Sequence, residues 1–99
     1  MANEDLLNVD ASVVEMAGRD FMTAYEEAQT AMKRMRDQVS NLQSTFAGAA
    51  ATAFYAKMEQ LLQPMPTLVE EIGEMGRDLL TTADRIRQVQ AEVKSLLGD

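Results

Sequence analysis

The densest group of residues able to do chemistry in this chain is the carboxylate set Glu70, Glu71 and Glu74, which a helix would place within about one turn. Carboxylates so spaced suggest a metal site. Di-metal centres in helix bundles, however, add a Glu-x-x-His pair from facing helices, and this chain contains no histidine. The cluster therefore reads as a solvated acidic face. Lys33, Arg34 and Arg36 form a basic counterpart, with Arg36 expected near Glu59 across a turn as an exposed ion pair worth about 0–1 kcal/mol. With neither His nor Cys, the remaining acid–base groups are carboxylates, Lys and Tyr on expected solvent faces, and no glycine-rich phosphate loop is present. The reading is of a protein that is not an enzyme and takes no cofactor or metal.

Charge and leader composition narrow the partners. Sixteen acidic against nine basic residues leave a net charge of −7, which opposes the phosphate attraction on which nucleic-acid binding depends. The absence of cysteine is compatible with a reducing or an oxidising compartment. Met1-Ala2-Asn3-Glu4-Asp5-Leu6-Leu7 lacks a basic segment followed by an apolar core, and no apolar run approaches the length of a membrane span. No cleaved signal peptide and no stable membrane insertion are expected.

The elements that carry these residues follow from apolar spacing. Val14, Ala17, Phe21, Ala24, Ala28, Ala31, Met35 and Leu42 recur at alternating three- and four-residue steps. The same stepping runs through Phe54, Met58, Leu61, Met65, Leu68, Ile72, Met75, Leu79, Thr82, Ile86, Val89, Val93 and Leu96. These are the a and d positions of two heptad helices. Phe46-Ala47-Gly48 lies between them as a turn, with Phe plugging the core's end and Gly tolerating positive φ. The fold expected is all-α, a single domain over 1–99: an antiparallel helical hairpin with helices at about 10–44 and 49–97. Asp10 or Ser12, the latter with Glu15 as a capping box, would start the first helix, and Gly98 would end the second. Pro64 and Pro66 predict a kink or short break near 63–67, and Thr67 with Glu70 could cap a restart.

Two features point to association. Tyr25, Met32, Val39 and Phe46, with Tyr55, Leu62, Val69, Ala83 and Leu97, add an apolar e column beside each a/d seam, wider than one helix contact needs. Facing residues of the hairpin should have numbers adding to roughly 93–96. The first helix would then end opposite about residue 84, leaving Ile86, Val89, Val93 and Leu96 uncovered except by what Leu6, Leu7 and Val9 supply. The expected partner interface is therefore Tyr25, Met32, Val39, Leu62, Val69, Ile86, Val89, Val93 and Leu96. Eight methionines, whose thioethers adapt to irregular surfaces, are read first as core filling.

The length near one hundred residues, the acidic balance, the missing cysteine, the central aromatic-x-Gly turn and the small-residue run Gly48-Ala49-Ala50-Ala51-Thr52-Ala53-Phe54 together resemble the small helical hairpins of type VII secretion systems, the Trp-x-Gly family that includes early secreted antigens. The resemblance covers most of the chain and places Phe46 at the family's Trp and Gly48 at its Gly. It implies a bacterial four-helix bundle of two hairpins, formed by the chain with itself as a homodimer or with a second family member. It also implies export by a membrane ATPase, from the cytoplasm to the medium or cell surface, without a cleaved signal. Phe in place of Trp keeps the ring and loses the indole N–H. The family's tail tyrosine, followed four residues later by an acid, is absent from Ala83–Asp99, while Tyr55 and Glu59 have that spacing beside the turn, where a buried ring is expected. The chain thus resembles the partner lacking an export tail, or a homodimer exported by another cue. The alternative is an intracellular antiparallel coiled-coil adaptor that is not secreted.

Overall fold

A computed structural model describes residues 8–98. It contains three helices, α1 (Ala11–Leu42), α2 (Ala49–Leu62) and α3 (Met65–Leu96), and no strand among the described residues. The chain is a helical hairpin: a long helix, a turn, and a second arm kinked where α2 gives way to α3. Two compact units are distinguishable, a terminal unit of Met1–Met22 with Gly73–Asp99 and a turn unit of Thr23–Ile72.

Local chemistry sets the boundaries. Asp10 caps α1, its Oδ1 accepting the Ser12 amide at 2.9 Å. Glu15 does not complete a capping box; it reaches Arg19 and Arg87 instead. At the far end Gly98 takes φ 86° and its amide bonds the Ser95 carbonyl at 3.2 Å, the left-handed ending expected of it. Gln63, after α2, keeps right-handed helical angles (φ −61°, ψ −47°) and bonds Glu59 at 3.0 Å. The prolines therefore interrupt hydrogen bonding without reversing the chain. Restart comes from Pro64, whose carbonyl accepts the Leu68 amide at 3.3 Å, with Pro66 in the first turn where its missing N–H costs little. Thr67 and Glu70 are not needed as a cap.

Which apolar column each unit buries differs from expectation. In the terminal unit Ala11, Gly18, Gly73, Gly76, Ala83, Ile86 and Val89 are buried. In the turn unit the buried residues are Met32, Ala51, Leu62 and Val69. The e column, read as a flank for a partner, thus faces inward together with the a column. The d column of the second arm turns out: Phe54, Leu61, Leu68 and Met75 are 37–55% exposed. Glycine explains the rotation. A Cβ on Gly76 would lie 2.8 Å from Met22 Sδ, 3.1 Å from Phe21 Cβ and 3.2 Å from the Gly18 carbonyl; one on Gly18 would lie 3.0 Å from the Leu80 side chain and 3.1 Å from the Gly76 carbonyl. Backbone meets backbone here, so the inward face is the one carrying these glycines.

The register is close to the expected one. Gly18 faces Gly76 and Tyr25 bonds Glu70, with numbers adding to 94 and 95. Towards the terminus Gln90 Nε2 donates to the Val9 carbonyl at 2.9 Å, and Arg87 pairs with Glu15. Long side chains make these contacts, Gln90 reaching Val9, which precedes α1, and Arg87 reaching Glu15. Ile86 (1% exposed) and Val89 (8%) are buried in the terminal unit, where Val9 is one of the residues expected to supply cover. Leu6 and Leu7, invoked as a possible cover, lie outside the described residues. Leu96, the last residue of α3, and Leu97 after it are strongly exposed, at 85% and 78%.

Gly76→Val should lower stability by about 1–3 kcal/mol through overpacking against backbone, read as a fall of about 4–8 °C in melting temperature per kcal/mol. Ala24→Val, on an exposed face of α1, should change it by no more than about 0.5 kcal/mol.

Candidate partner-binding site

The turn is built from three rings and one glycine. Phe46 stands edge-on to Phe54 and to Tyr55, with centroids 6.0 Å away in each case, and Phe54 and Tyr55 are 5.7 Å apart. Such T-shaped pairs contribute about 0.5–1.5 kcal/mol beyond area burial. Tyr55 Oη donates to the Phe46 carbonyl at 2.7 Å, and the Phe46 amide donates to Leu42 at 2.7 Å. Phe46 is thus tied through its main chain to both arms, and its ring stays 37% exposed. Gly48 has φ 104° and ψ −178°, a region closed to residues with a side chain. Its carbonyl accepts both the amide and the hydroxyl of Thr52, starting α2.

Beside the inward columns each unit has polar cross-links of its own. In the turn unit Gln29 Nε2 donates to Tyr25 Oη and Tyr25 Oη donates to Glu70 Oε1, both at 2.9 Å. Glu70 is therefore occupied in holding register. In the terminal unit Glu15 joins Arg19 on its own helix to Arg87 on α3, 2.6 Å away, and Arg87 also approaches Asp84. The Arg87 hydrogen bond, followed by that from Arg19, holds the Glu15 carboxyl below its ordinary value of 4.5.

Exposed apolar side chains include those of the second arm's d column, alongside Val13 and Met16 on α1 and Leu96 and Leu97 at the other end of the chain. In the turn unit Phe54 and Leu61 line a shallow depression with Ala50, Ala53, Lys57 and Met58, and Leu68 stands 55% exposed beyond the prolines. In the terminal unit Met75 lines another with Phe21, Leu79, Thr82 and Asp78. Among residues expected at a partner interface, Met32, Leu62 and Val69 are instead buried within the turn unit, and Ile86 and Val89 within the terminal unit. Tyr25, Val39 and Val93 are half-buried, and Leu96 is open. Residues with area to offer, Phe54, Leu61, Leu68 and Met75, had been assigned to the internal seam. Counting Gly18 and Gly76 as members of the e column would have revealed the choice.

The family model described as "WXG100: Proteins of 100 residues with WXG" matches residues 6–94. The chain belongs to the WXG100 family. WXG100 proteins are small proteins associated with type VII secretion, a non-enzymatic family whose members form helical-hairpin dimers. Comparison with curated proteins and with solved structures found no significant match. Against the family's name, this WXG100 chain carries Phe46 before Ala47-Gly48. No helix among the described residues is long and apolar enough to cross a membrane.

Gly48→Val should lower the melting temperature although a Cβ there meets open space, because the backbone must leave its positive φ at a cost of about 1–3 kcal/mol. Glu15→Gln should destabilise at about pH 7. Since the folded pKa is depressed, the stabilisation is present above the unfolded value and disappears as pH falls through the folded one. The difference in melting temperature between Glu15→Gln and the parent should therefore shrink as the pH is lowered below the ordinary carboxylate range.

Proposed function

We propose that this WXG100 protein works as half of a four-helix bundle, pairing with a second copy or another family hairpin, and that the pair is exported through a type VII system by recognition at its membrane ATPase. The observation carrying this reading is the outward d column, with Phe54, Leu61 and Leu68 in the turn unit and Met75 beside Phe21 and Leu79 in the terminal unit. Full burial of a Leu or Phe side chain contributes about 1.5–3 kcal/mol, against a total stability of about 5–15 kcal/mol for a domain. Four such residues left near half-exposed constitute a large unused driving force. Val93 and Leu96 remain candidates for its extension along α3.

Phe46 and Gly48 act as the turn, and the protein acts through surfaces rather than by catalysis. The route proposed runs from the cytoplasm to the medium or cell surface.

Leu61→Asp and Leu68→Asp should abolish concentration-dependent association in sedimentation equilibrium while leaving helicity by circular dichroism intact. Ile86→Asp, placing a charge in the terminal unit's interior, should instead lose helicity. In a host with the secretion system, the parent chain should reach the medium only when the ATPase is present, and Leu61→Asp should stay in the cells. Export independent of the ATPase, or pairing unaffected by either aspartate, would overturn the proposal; a protein retained whatever the ATPase's state is the adaptor instead.

A further inference from the structure

The turn unit holds a second surface that pairing does not use. A groove of about 440 Å³ lies between α1 and α2, lined by Arg36, Val39 and Gln43 on one side and Tyr55, Met58, Glu59, Leu62 and Gln63 on the other. Its floor is apolar: Leu62 is buried, and Val39, Tyr55 and Met58 are half-buried. By heptad position it opens on the side of b and e residues, away from the d column that carries Leu61 and Leu68. The polar cross-links of the turn unit stop on either side of it, with Tyr25–Glu70 above and Tyr55–Phe46 below. Arg36 and Glu59 occupy facing register positions, their numbers adding to 95 as for Tyr25 and Glu70, and the ion pair expected between them is not formed. The rim therefore carries one cation and one anion facing each other across an apolar floor, with two side-chain amides beside them.

We infer that this groove binds an extended segment of another protein, with one aliphatic side chain on the Val39–Met58–Leu62 floor and charges of opposite sign on either side of it. Rim charges select partners more than they add affinity: a carboxylate answers Arg36 and an ammonium or guanidinium answers Glu59. The Gln43 and Gln63 carboxamides each offer donors and an acceptor. A helix has already satisfied its own backbone groups, whereas an extended chain has free N–H and C=O groups to meet them, and this selects the extended form. The volume lies within the range of about 300–1,000 Å³ typical of ligand sites.

The test uses capped peptides carrying Leu as the anchor, with a charged residue two positions before and two after it, in three forms: one acidic and one basic, both acidic, both basic. Each is titrated to about 5 mM into the full chain labelled at Met, Leu and Val methyls. The mixed peptide should give saturable shifts at Val39, Met58 and Leu62 and none at Leu61 or Leu68, and should bind about fivefold more tightly than the like-charged forms. Glu59→Lys should switch the preference to the di-acidic peptide and Arg36→Glu to the di-basic one. Both positions are exposed, so both variants should keep the parent's circular dichroism. These switches do not depend on the direction in which the peptide lies. No saturable shift, shifts at Leu61 and Leu68 instead, or an unchanged preference in both variants would overturn the inference. So would the same methyl shifts appearing when the chain alone is concentrated, since the occupant would then be a second copy. None of these results bears on pairing through the d column, which Leu61→Asp reads separately.

Discussion

The approach of Gly18 to Gly76 is the constraint from which the arrangement of the terminal unit follows. Two helices pack with axes about 8–10 Å apart according to the side chains between them, and where neither has a side chain the backbones themselves become the contact surface. Only one rotation of each helix presents its glycine to the other. Once Gly18 faces Gly76, helix periodicity brings Ala11 and, on α3, Gly73, Ala83 and Ile86 to the inside. Met75, next to Gly76 in sequence, is turned outward by the same rotation. An exposed methionine is thus the geometric counterpart of a buried glycine.

Much of this was legible in the residues. Heptad spacing located the helices to within two residues at each end, Phe46-Ala47-Gly48 located the turn, and Pro64 and Pro66 located the kink. The choice between two adjacent apolar columns was not legible from hydropathy. Ala17, Ala24 and Ala31 on the first arm and Leu61, Leu68 and Met75 on the second make a respectable d column, and glycine carries too little apolar weight to advertise the e column. Small size, rather than hydrophobicity, was the deciding property. Phe46 and Gly48 lie in the turn, while Met32, Leu62, Val69, Ile86 and Val89, expected at an interface, are buried in their own units.

Within each unit, polar and apolar positions are treated differently. Tyr25, Glu70 and Gln29, and separately Glu15, Arg19 and Arg87, connect groups of the same chain. Such exposed links add little stability, but they specify register, because a shift of one residue would separate the partners. Leu61 and Leu68, by contrast, stay 49% and 55% exposed. Exposed leucines at such positions suit a partner that brings another apolar strip. That matches a family acting in pairs.

The proline break has a consequence for cooperativity. Pro64 and Pro66 supply no N–H, so helical order growing back from α3 does not pass into α2 through the backbone ladder. Alone, α2 is 14 residues, about the length at which an isolated helix is marginal in water. Its persistence therefore depends on side chains: Leu62 and Ala51 buried in the turn unit, Tyr55 tethered to Phe46, and the three rings around the turn. The tip of the hairpin is therefore held by side-chain contacts where the backbone ladder is interrupted, and a substitution there acts on α2 through packing rather than through helix propagation.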